Sequence, residues 1–205
     1  MPPTAAAAPV TPSSLSDVPP REPLVLIDPT AVDMSLYLQV RRLIQTTGQF
    51  VDDASVRYFQ GIHRHVPMVC RHHFHDQLID IRACPPAGFS MLLLAISLLT
   101  YDPKLLPQTT PPVVPRESLY LSIRTLFSQV QAAARGPPSV HFIQAGILLA
   151  LYEYANGRPD DAFLSIAACA RMGYASHLHR VRQPVSEALE EELVNTWLAI
   201  IIFER

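Results

Sequence analysis

The residues in this chain that are best suited to chemistry are histidines and a cysteine, concentrated in one short stretch. They are His63, His65, Cys70, His72, His73 and His75. Imidazole and thiolate groups are ligands that zinc accepts, and residues three apart, such as Cys70 and His73, lie on one face of a helix. A zinc site needs three or four converging ligands, and no more distant ligand is identifiable in the sequence. We therefore interpret the stretch as a polar helix face with hydrogen-bonded histidines. A metal-dependent enzyme that uses residues 63–75 is the alternative.

The two remaining cysteines lack the surroundings of a reactive thiol. Cys84 stands directly before Pro85, and Cys169 lies in an alanine-rich segment. A reactive thiol needs a partly exposed site with nearby positive charge, whereas a cysteine among small apolar residues packs as a small hydrophobe. Because the three cysteines are widely spaced and form no CxxC pair, they provide no disulfide framework. We expect both thiols to be unreactive.

Two acidic runs could be read as paired carboxylates for acid–base chemistry. They are Asp160 with Asp161, and Glu190 with Glu191 and Glu192. Both runs fall where a helix is predicted to start, and negative charge at that end complements the helix dipole, so we interpret both as structural. Trp197 is interpreted as a core anchor because it shares a helix face with Leu193 and Ile200. No residue is assigned to catalysis, to a cofactor or to a metal.

The composition limits the classes of protein to which the chain can belong. Of its 205 residues, 49% are hydrophobic and 17% are charged, which is typical of a globular domain with a sizeable core. The formal net charge of −2 gives no electrostatic footprint for nucleic acid, so we expect no direct DNA binding. We find neither the ~18–20 apolar residues of a membrane span nor a signal peptide, and expect a soluble intracellular protein with no membrane partner.

Apolar residues recur at a spacing near 3.6 along the chain, and strand-like alternation is nowhere sustained. The predicted fold class is all-α, an irregular multi-helix domain of packed antiparallel helix pairs. Residues 1–30 are predicted to form a disordered Pro/Ala/Ser-rich tail, and residues 31–205 one helical domain. Residues 89–99 are apolar on every side, which predicts a buried helix. The inward-facing positions of the other helices include Leu36, Val40, Leu43, Ile44, Val56, Phe59, Ile62, Cys70, Phe74, Leu78, Ile81, Leu119, Ile123, Leu126, Phe127, Val130, Phe163, Ile166, Ala167, Ala170 and Tyr174.

A few residues predict where these helices begin and end. Asp52 or Asp53 is a candidate N-cap for the second helix, and Ser139 is one for the helix that starts near residue 140. Gly157 supplies the left-handed residue that ends this helix, and Pro159 prevents its continuation. Residues 140–175 are therefore predicted to form a pair of packed helices.

Three segments in a fixed order carry a resemblance to a known family. The first segment, residues 54–67, contains Tyr58, Phe59, Ile62, His63 and Pro67. The second is residues 91–101 with the helix that follows. The third is residues 140–205, which near its end contains Thr196, Trp197, Glu204 and Arg205. In order and spacing, the segments resemble the regulatory middle homology region of fungal zinc-cluster transcription factors. The likeness covers residues 36–205.

The resemblance implies a non-catalytic regulatory domain that modulates the transcription of target genes in the nucleus. It implies partners in the transcription machinery or self-association, and in some members a small-molecule effector. Three cysteines cannot build the six-cysteine zinc cluster that binds DNA in this family, so the chain itself is expected to hold no zinc. The chain also departs from the family pattern at Val194 and Asn195, where basic residues are common, and at Leu198, where a second aromatic residue is common.

Another interpretation stays open beside this one. The chain could be a stand-alone α-helical small-molecule-binding or protein-interaction adaptor that derives from such a domain, with the cytoplasm as its location. The family's domain usually continues past the position of Arg205, so we expect this chain to be the first part of a larger domain. Ile201, Ile202 and Phe203 extend the apolar surface of the last helix around its axis, which predicts an exposed patch that drives association.

Overall fold

The fold was derived from a computed structural model that describes residues 29–79, 85–103, 114–180 and 186–205. In these ranges the chain is helical and contains no strand, so the predicted all-α class is confirmed. The helices are α1 (Pro29–Thr46), α2 (Val51–Gln60), α3 (Arg71–Ile79), α4 (Ala87–Thr100), α5 (Arg116–Ala133), α6 (Val140–Ala155), α7 (Pro159–Ala175) and α8 (Glu187–Phe203). Single turns of 3₁₀ helix lie at Ile62–Arg64 and Leu178–Arg180. The predicted tail lies outside the described residues except for its last two positions, which open α1.

Two apolar helices, α4 and α6, form the centre of the domain. Residues 88–98 of α4 and residues 142–150 of α6 are all buried, including Ser90, Ser97 and Gln144. A helix that is apolar on every side needs neighbours on every side. Accordingly, α1, α2 and α5 pack against α4, while α7 and α8 pack against α6 and against each other. The predicted buried helix over residues 89–99 is confirmed.

Helices α6 and α7 form the predicted antiparallel pair, and small residues let them approach closely. A Cβ atom at Gly146 would lie 2.6 Å from the Cys169 sulfur, so only glycine fits at this crossing. The predicted cap at Ser139 is confirmed, because its hydroxyl accepts a hydrogen bond from the Phe142 amide at 3.3 Å. Gly157 has a φ of +75°, the left-handed conformation expected in the connecting loop.

Some predicted details are wrong. Helix α2 begins at Val51, and neither Asp52 nor Asp53 caps it, because both lie inside its first turn. Val56 on this helix was predicted to face inward and is exposed. The buried face of α2 instead runs through Ala54, Ser55, Tyr58 and Phe59, which are the residues turned towards the core.

The inward face of α7 agrees with the prediction at Ile166 and Ala170, which are buried, but differs at the two aromatic positions. Phe163 and Tyr174 are both more than half exposed. At these two positions the preceding residues, Ala162 and Gly173, are buried instead, and the buried side also includes Cys169. Small side chains allow the backbones of α6 and α7 to approach closely, so small residues lie at this contact and the larger aromatic residues do not. The predicted inward position at Ile81 lies outside the described residues.

Candidate functional site: the buried Glu192 cluster

Among the described residues, Glu192 is an unusual polar residue because its carboxylate is buried among helices. Only 2% of its surface is exposed. Along α8, Glu190 lies in the first turn, as the dipole argument predicts, but Glu192 lies further along and is buried. The prediction that all three glutamates of the run serve the helix start is therefore wrong for Glu192. A buried carboxylate is costly unless other groups hydrogen-bond or pair with it.

Three side chains from two other helices surround this carboxylate. From α6, the Gln144 side-chain amide donates a hydrogen bond to Oε1 at 3.0 Å, and Nε2 of His141 lies 3.9 Å from the same oxygen. From α3, Nδ1 of His73 lies 3.3 Å from Oε2. The carboxylate thereby joins α3, α6 and α8, three elements that are far apart in the sequence.

A second layer of hydrogen bonds fixes this arrangement. The Gln144 amide also donates to the Met68 carbonyl oxygen at 2.6 Å and lies 3.0 Å from the Thr196 hydroxyl. That hydroxyl donates to the Glu192 carbonyl oxygen one turn earlier, at 2.8 Å. Gln144 and Thr196 are fully buried. Because a buried polar group without a partner costs about 1–3 kcal/mol, this network specifies one position for α8 on the core. We call Met68, His73, His141, Gln144, Glu192 and Thr196 the Glu192 cluster.

The electrostatics of the cluster are those of one carboxylate and two imidazoles. Within the described residues, the ion-pair partners of Glu192 are His73 and His141, and no arginine or lysine reaches it. Burial lowers the pKa of His141, while Glu192 opposes this shift and His73 adds to it. The buried Tyr58 hydroxyl has a raised pKa because of desolvation and, secondly, the charge of Glu192. Burial therefore favours the neutral form of His141 inside the core.

The other predicted metal-site residues do not converge on the cluster. His72 is exposed and pairs with Asp76 at 2.9 Å, as expected for a solvated helix face. His63 lies against the rings of Tyr58 and Phe59. Over the described residues, no group of three or more His, Cys, Asp or Glu side chains is arranged to hold a metal ion.

His65, Cys70 and His75 lie outside the cluster too, and His73 is the exception. His65 and His75 are exposed and Cys70 is half-buried. His73 is hydrogen-bonded, as expected for this helix face, but its partner is a distant residue that sequence spacing could not identify. His73 and Glu192 are 119 positions apart, and only tertiary packing brings them together.

The remaining candidates have structural roles. Cys169 is buried, and burial raises the pKa of its thiol to about 12, which agrees with the expected small hydrophobe. Cys84 lies outside the described residues. Asp160 and Asp161 occupy the first turn of α7, where they complement the dipole. The Trp197 ring is half-buried, packs against Gly173 and meets the Tyr174 ring edge to face at 5.1 Å.

Sequence reasoning missed a second buried carboxylate, Glu153 on α6. Its Oε1 accepts a hydrogen bond from the Tyr120 hydroxyl at 2.8 Å and lies 3.5 Å from Nε of Arg124. Burial, together with this carboxylate, raises the pKa of Tyr120 to about 12. The available signal was one acidic residue inside an otherwise apolar helix, since such a residue must find partners in the core.

Two surface grooves complete the description. The first, about 420 Å³, lies among α1, α2, α3 and α4, with an apolar floor that includes Val40, Ile44 and Leu93 and with Arg41 among its polar lining residues. The second, about 480 Å³, lies among α6, α7 and the end of α8 and is lined by Ala150, Leu151, Tyr154, Pro159, Ala162, Phe163, Ile166, Ile202 and Phe203. Neither groove is lined by a residue of the Glu192 cluster.

Comparison with known proteins identifies no relative of this chain. No family model matches the chain, and neither a curated protein nor a solved structure is significantly similar to it. Among the described helices, none combines the length and apolar character that crossing a bilayer requires. The features of this chain that bear on function are therefore its buried cluster, its grooves and its sequence resemblance.

Proposed function

We propose that this chain is a non-catalytic regulatory domain of a fungal transcription factor, which modulates the transcription of target genes through protein contacts. In this proposal it acts in the nucleus and holds no cofactor. A separate module contacts the DNA, and the partners of this domain are components of the transcription machinery or a second copy of the chain. The proposal is based on the sequence resemblance, which involves three segments that are distant from one another in the chain.

The observation that carries the proposal is where the resembling segments meet. Met68 follows the first segment directly, and its carbonyl oxygen accepts a hydrogen bond from Gln144 in the third segment. Gln144 in turn contacts Glu192 and Thr196, the residue before Trp197. Helix α4, which contains residues 91–100 of the second segment, packs against both α2 and α6. One core thus uses all three segments, which supports an interpretation of them as parts of one regulatory unit.

A reporter assay tests the proposal. The chain is inserted between a heterologous DNA-binding module and an activation segment, and reporter output is compared with that of the fusion without the chain. We expect the insertion to change the output several-fold. We expect Glu192→Leu to return the output towards the level without the chain, since α8 then loses its polar attachment to α3 and α6. Glu190→Gln, an exposed neighbour in the first turn of α8, is the matched control and should leave the effect intact.

Equal output with and without the chain would contradict the regulatory proposal. So would an effect that survives Glu192→Leu in a variant shown by circular dichroism to have lost the native helical fold. The abundance of each fusion is measured by immunoblot, so that a change in protein level is separated from a change in regulation.

The first groove favours a second candidate function, a small-molecule-binding adaptor. An apolar floor with a few polar groups at the rim is the usual form of a ligand site, and a groove of 420 Å³ accommodates a small ligand. The Arg41 guanidinium suits an acidic head group and Val40, Ile44 and Leu93 suit an alkyl tail. Decanoate is therefore the probe, and a rise in Tm that Arg41→Ala removes would support this function. An unchanged Tm at millimolar decanoate would count against it.

A further inference from the structure

Helix α8 exposes apolar residues on the face opposite to its buried side. Val194, Leu198 and Ile202 are 40%, 47% and 67% exposed, whereas Thr196 and Ile200 face the core. At ~100° per residue, Val194 and Ile202 lie about 40° to either side of Leu198. The outward face of a surface helix normally carries polar residues, and three branched aliphatic side chains in a row mark a surface that another element covers.

The two ends of this row carry opposite charges. Glu191 lies one turn before Val194, and Arg205 lies one turn after Ile202. Both side chains are exposed, and neither has an ion-pair partner in the described part of the chain. At ~100° per residue Glu191 lies within about 20° of the line through Leu198, and Arg205 directly follows Glu204, the C-cap of α8. We call Glu191, Val194, Leu198, Ile202 and Arg205 the α8 stripe.

The α8 stripe is complementary to itself when it is reversed. Leu198 stands midway between Val194 and Ile202, and it also stands midway between Glu191 and Arg205. Two copies of the helix that cross antiparallel at Leu198 therefore place Leu198 on its own copy and Val194 on Ile202. At the ends, roughly 20 Å apart at 1.5 Å per residue, each Glu191 meets an Arg205. A two-fold interface has this property, because the same patch serves both partners.

We propose that the α8 stripe is the contact surface of a homodimer in which two α8 helices cross antiparallel about a two-fold axis at Leu198. The second groove borders the stripe at Ile202 and adds apolar surface beside it. A different protein would need an apolar patch flanked by a basic and an acidic residue in the reverse order. A second copy of this chain provides that arrangement by symmetry. This proposal rests on the proposed function only because self-association is one of the partner types named there. If the chain proves to be monomeric, the result of the reporter assay still stands.

Sedimentation equilibrium of the purified chain over a range of concentrations tests this dimer. We expect a reversible monomer–dimer equilibrium and the loss of the dimer in Leu198→Asp, which places two carboxylates together at the axis. The matched control is Leu121→Asp on α5, an equally exposed leucine outside the stripe, and it should dimerise like the parent chain. Circular dichroism of each variant separates loss of association from loss of folding.

Charge reversal tests the antiparallel register without changing the apolar centre. Glu191→Arg and Arg205→Glu each place like charges at both ends of the pair, and each should raise the Kd of the dimer roughly tenfold at low salt. The double variant restores opposite charges and should return to within about threefold of the parent Kd. A parent chain that stays monomeric at roughly 200 µM, a Leu198→Asp variant that still dimerises, or a double variant as weak as the single ones would overturn the proposal.

Discussion

At the scale of single residues, Glu192 determines how firmly α8 is attached to the core. Glu192→Ala removes the acceptor shared by His73 and the Gln144 amide and the carboxylate near His141, so we expect a loss of about 3 kcal/mol in the free energy of unfolding. Glu192→Gln keeps an acceptor oxygen at the same place and should cost about 1 kcal/mol. Urea unfolding followed by circular dichroism measures both values. The exposed neighbour Glu190 serves as a control, since Glu190→Gln should change the free energy by less than about 0.5 kcal/mol.

If the Glu192 carboxylate contributes little to stability, Glu192→Ala will lower the free energy of unfolding no more than Glu190→Gln does. That outcome would show that the hydrogen bonds of the cluster are replaced by water, and the interpretation of Glu192 as the attachment point of α8 would be wrong. The comparison depends on the two glutamates being in the same helix, because effects of helix propensity are then similar.

His141 makes the stability of the domain depend on pH. Burial holds its pKa below the ordinary value of 6.5, so the folded state releases a proton that the unfolded state still binds. Well above pH 6.5 this side chain is neutral in both states. As the pH falls below that value, protonation of the unfolded chain lowers the free energy of unfolding. Stability should therefore decline from pH 7.5 to 5.0.

His141→Gln should flatten this decline, since the variant cannot take up the proton. Urea titrations at several pH values measure the slope, and the difference between the parent chain and the variant isolates His141 from the other histidines. His72→Gln is the control because His72 is exposed and pairs with Asp76 at the surface. An identical slope in the parent chain and in His141→Gln would contradict the assigned cause.

At the scale of secondary-structure elements, the crossing of α6 and α7 depends on the absence of one side chain. Gly146→Ala places a methyl group 2.6 Å from the Cys169 sulfur and 3.2 Å from the Phe127 ring. We expect overpacking of about 1–3 kcal/mol, offset by about 1 kcal/mol of improved helix propensity. The net result is a lower midpoint of urea unfolding.

Removal of the sulfur should relieve this strain. Gly146→Ala combined with Cys169→Ala should be more stable than the sum of the two single changes predicts, which a double-mutant cycle measures. Gly136→Ala is the control, because a Cβ at that position meets no atom within 4 Å. Additive effects of Gly146→Ala and Cys169→Ala would mean that the two helices separate and do not remain in contact.

The elements themselves were predictable from the sequence to a large extent. The apolar spacing identified helices where α1 to α8 lie, and the all-apolar run identified α4, because burial of a whole helix needs no knowledge of its partners. It was less predictable which side of each helix faces the core. On α7, Ile166 and Ala170 are buried as predicted, whereas Phe163 and Tyr174 are exposed, because the close approach of α6 favours smaller residues.

The Glu192 cluster could not be predicted for a related reason. Its members come from the segment before α3, from α3, from α6 and from α8, and no local pattern indicates that these segments meet. An acidic run at the start of a helix has the same sequence whether its third residue faces solvent or the core. Only the packing of α8 on α6 decides that Glu192 is buried beside Gln144.

At the scale of the whole molecule, the charge of the chain leads to a prediction about DNA. The sequence contains 16 basic and 18 acidic residues, which gives a formal charge of −2. Binding to duplex DNA depends on several phosphate contacts from lysine and arginine, and even non-specific affinities fall steeply with salt. We expect the purified chain to cause no shift of promoter fragments in a gel assay at physiological salt. The same chain fused to a heterologous DNA-binding module should shift the matching fragment, which shows that the preparation is competent. A shift by the unfused chain that resists excess competitor DNA would mean that a local basic surface outweighs the net charge, and the regulatory proposal would then need a DNA-binding role for this chain itself.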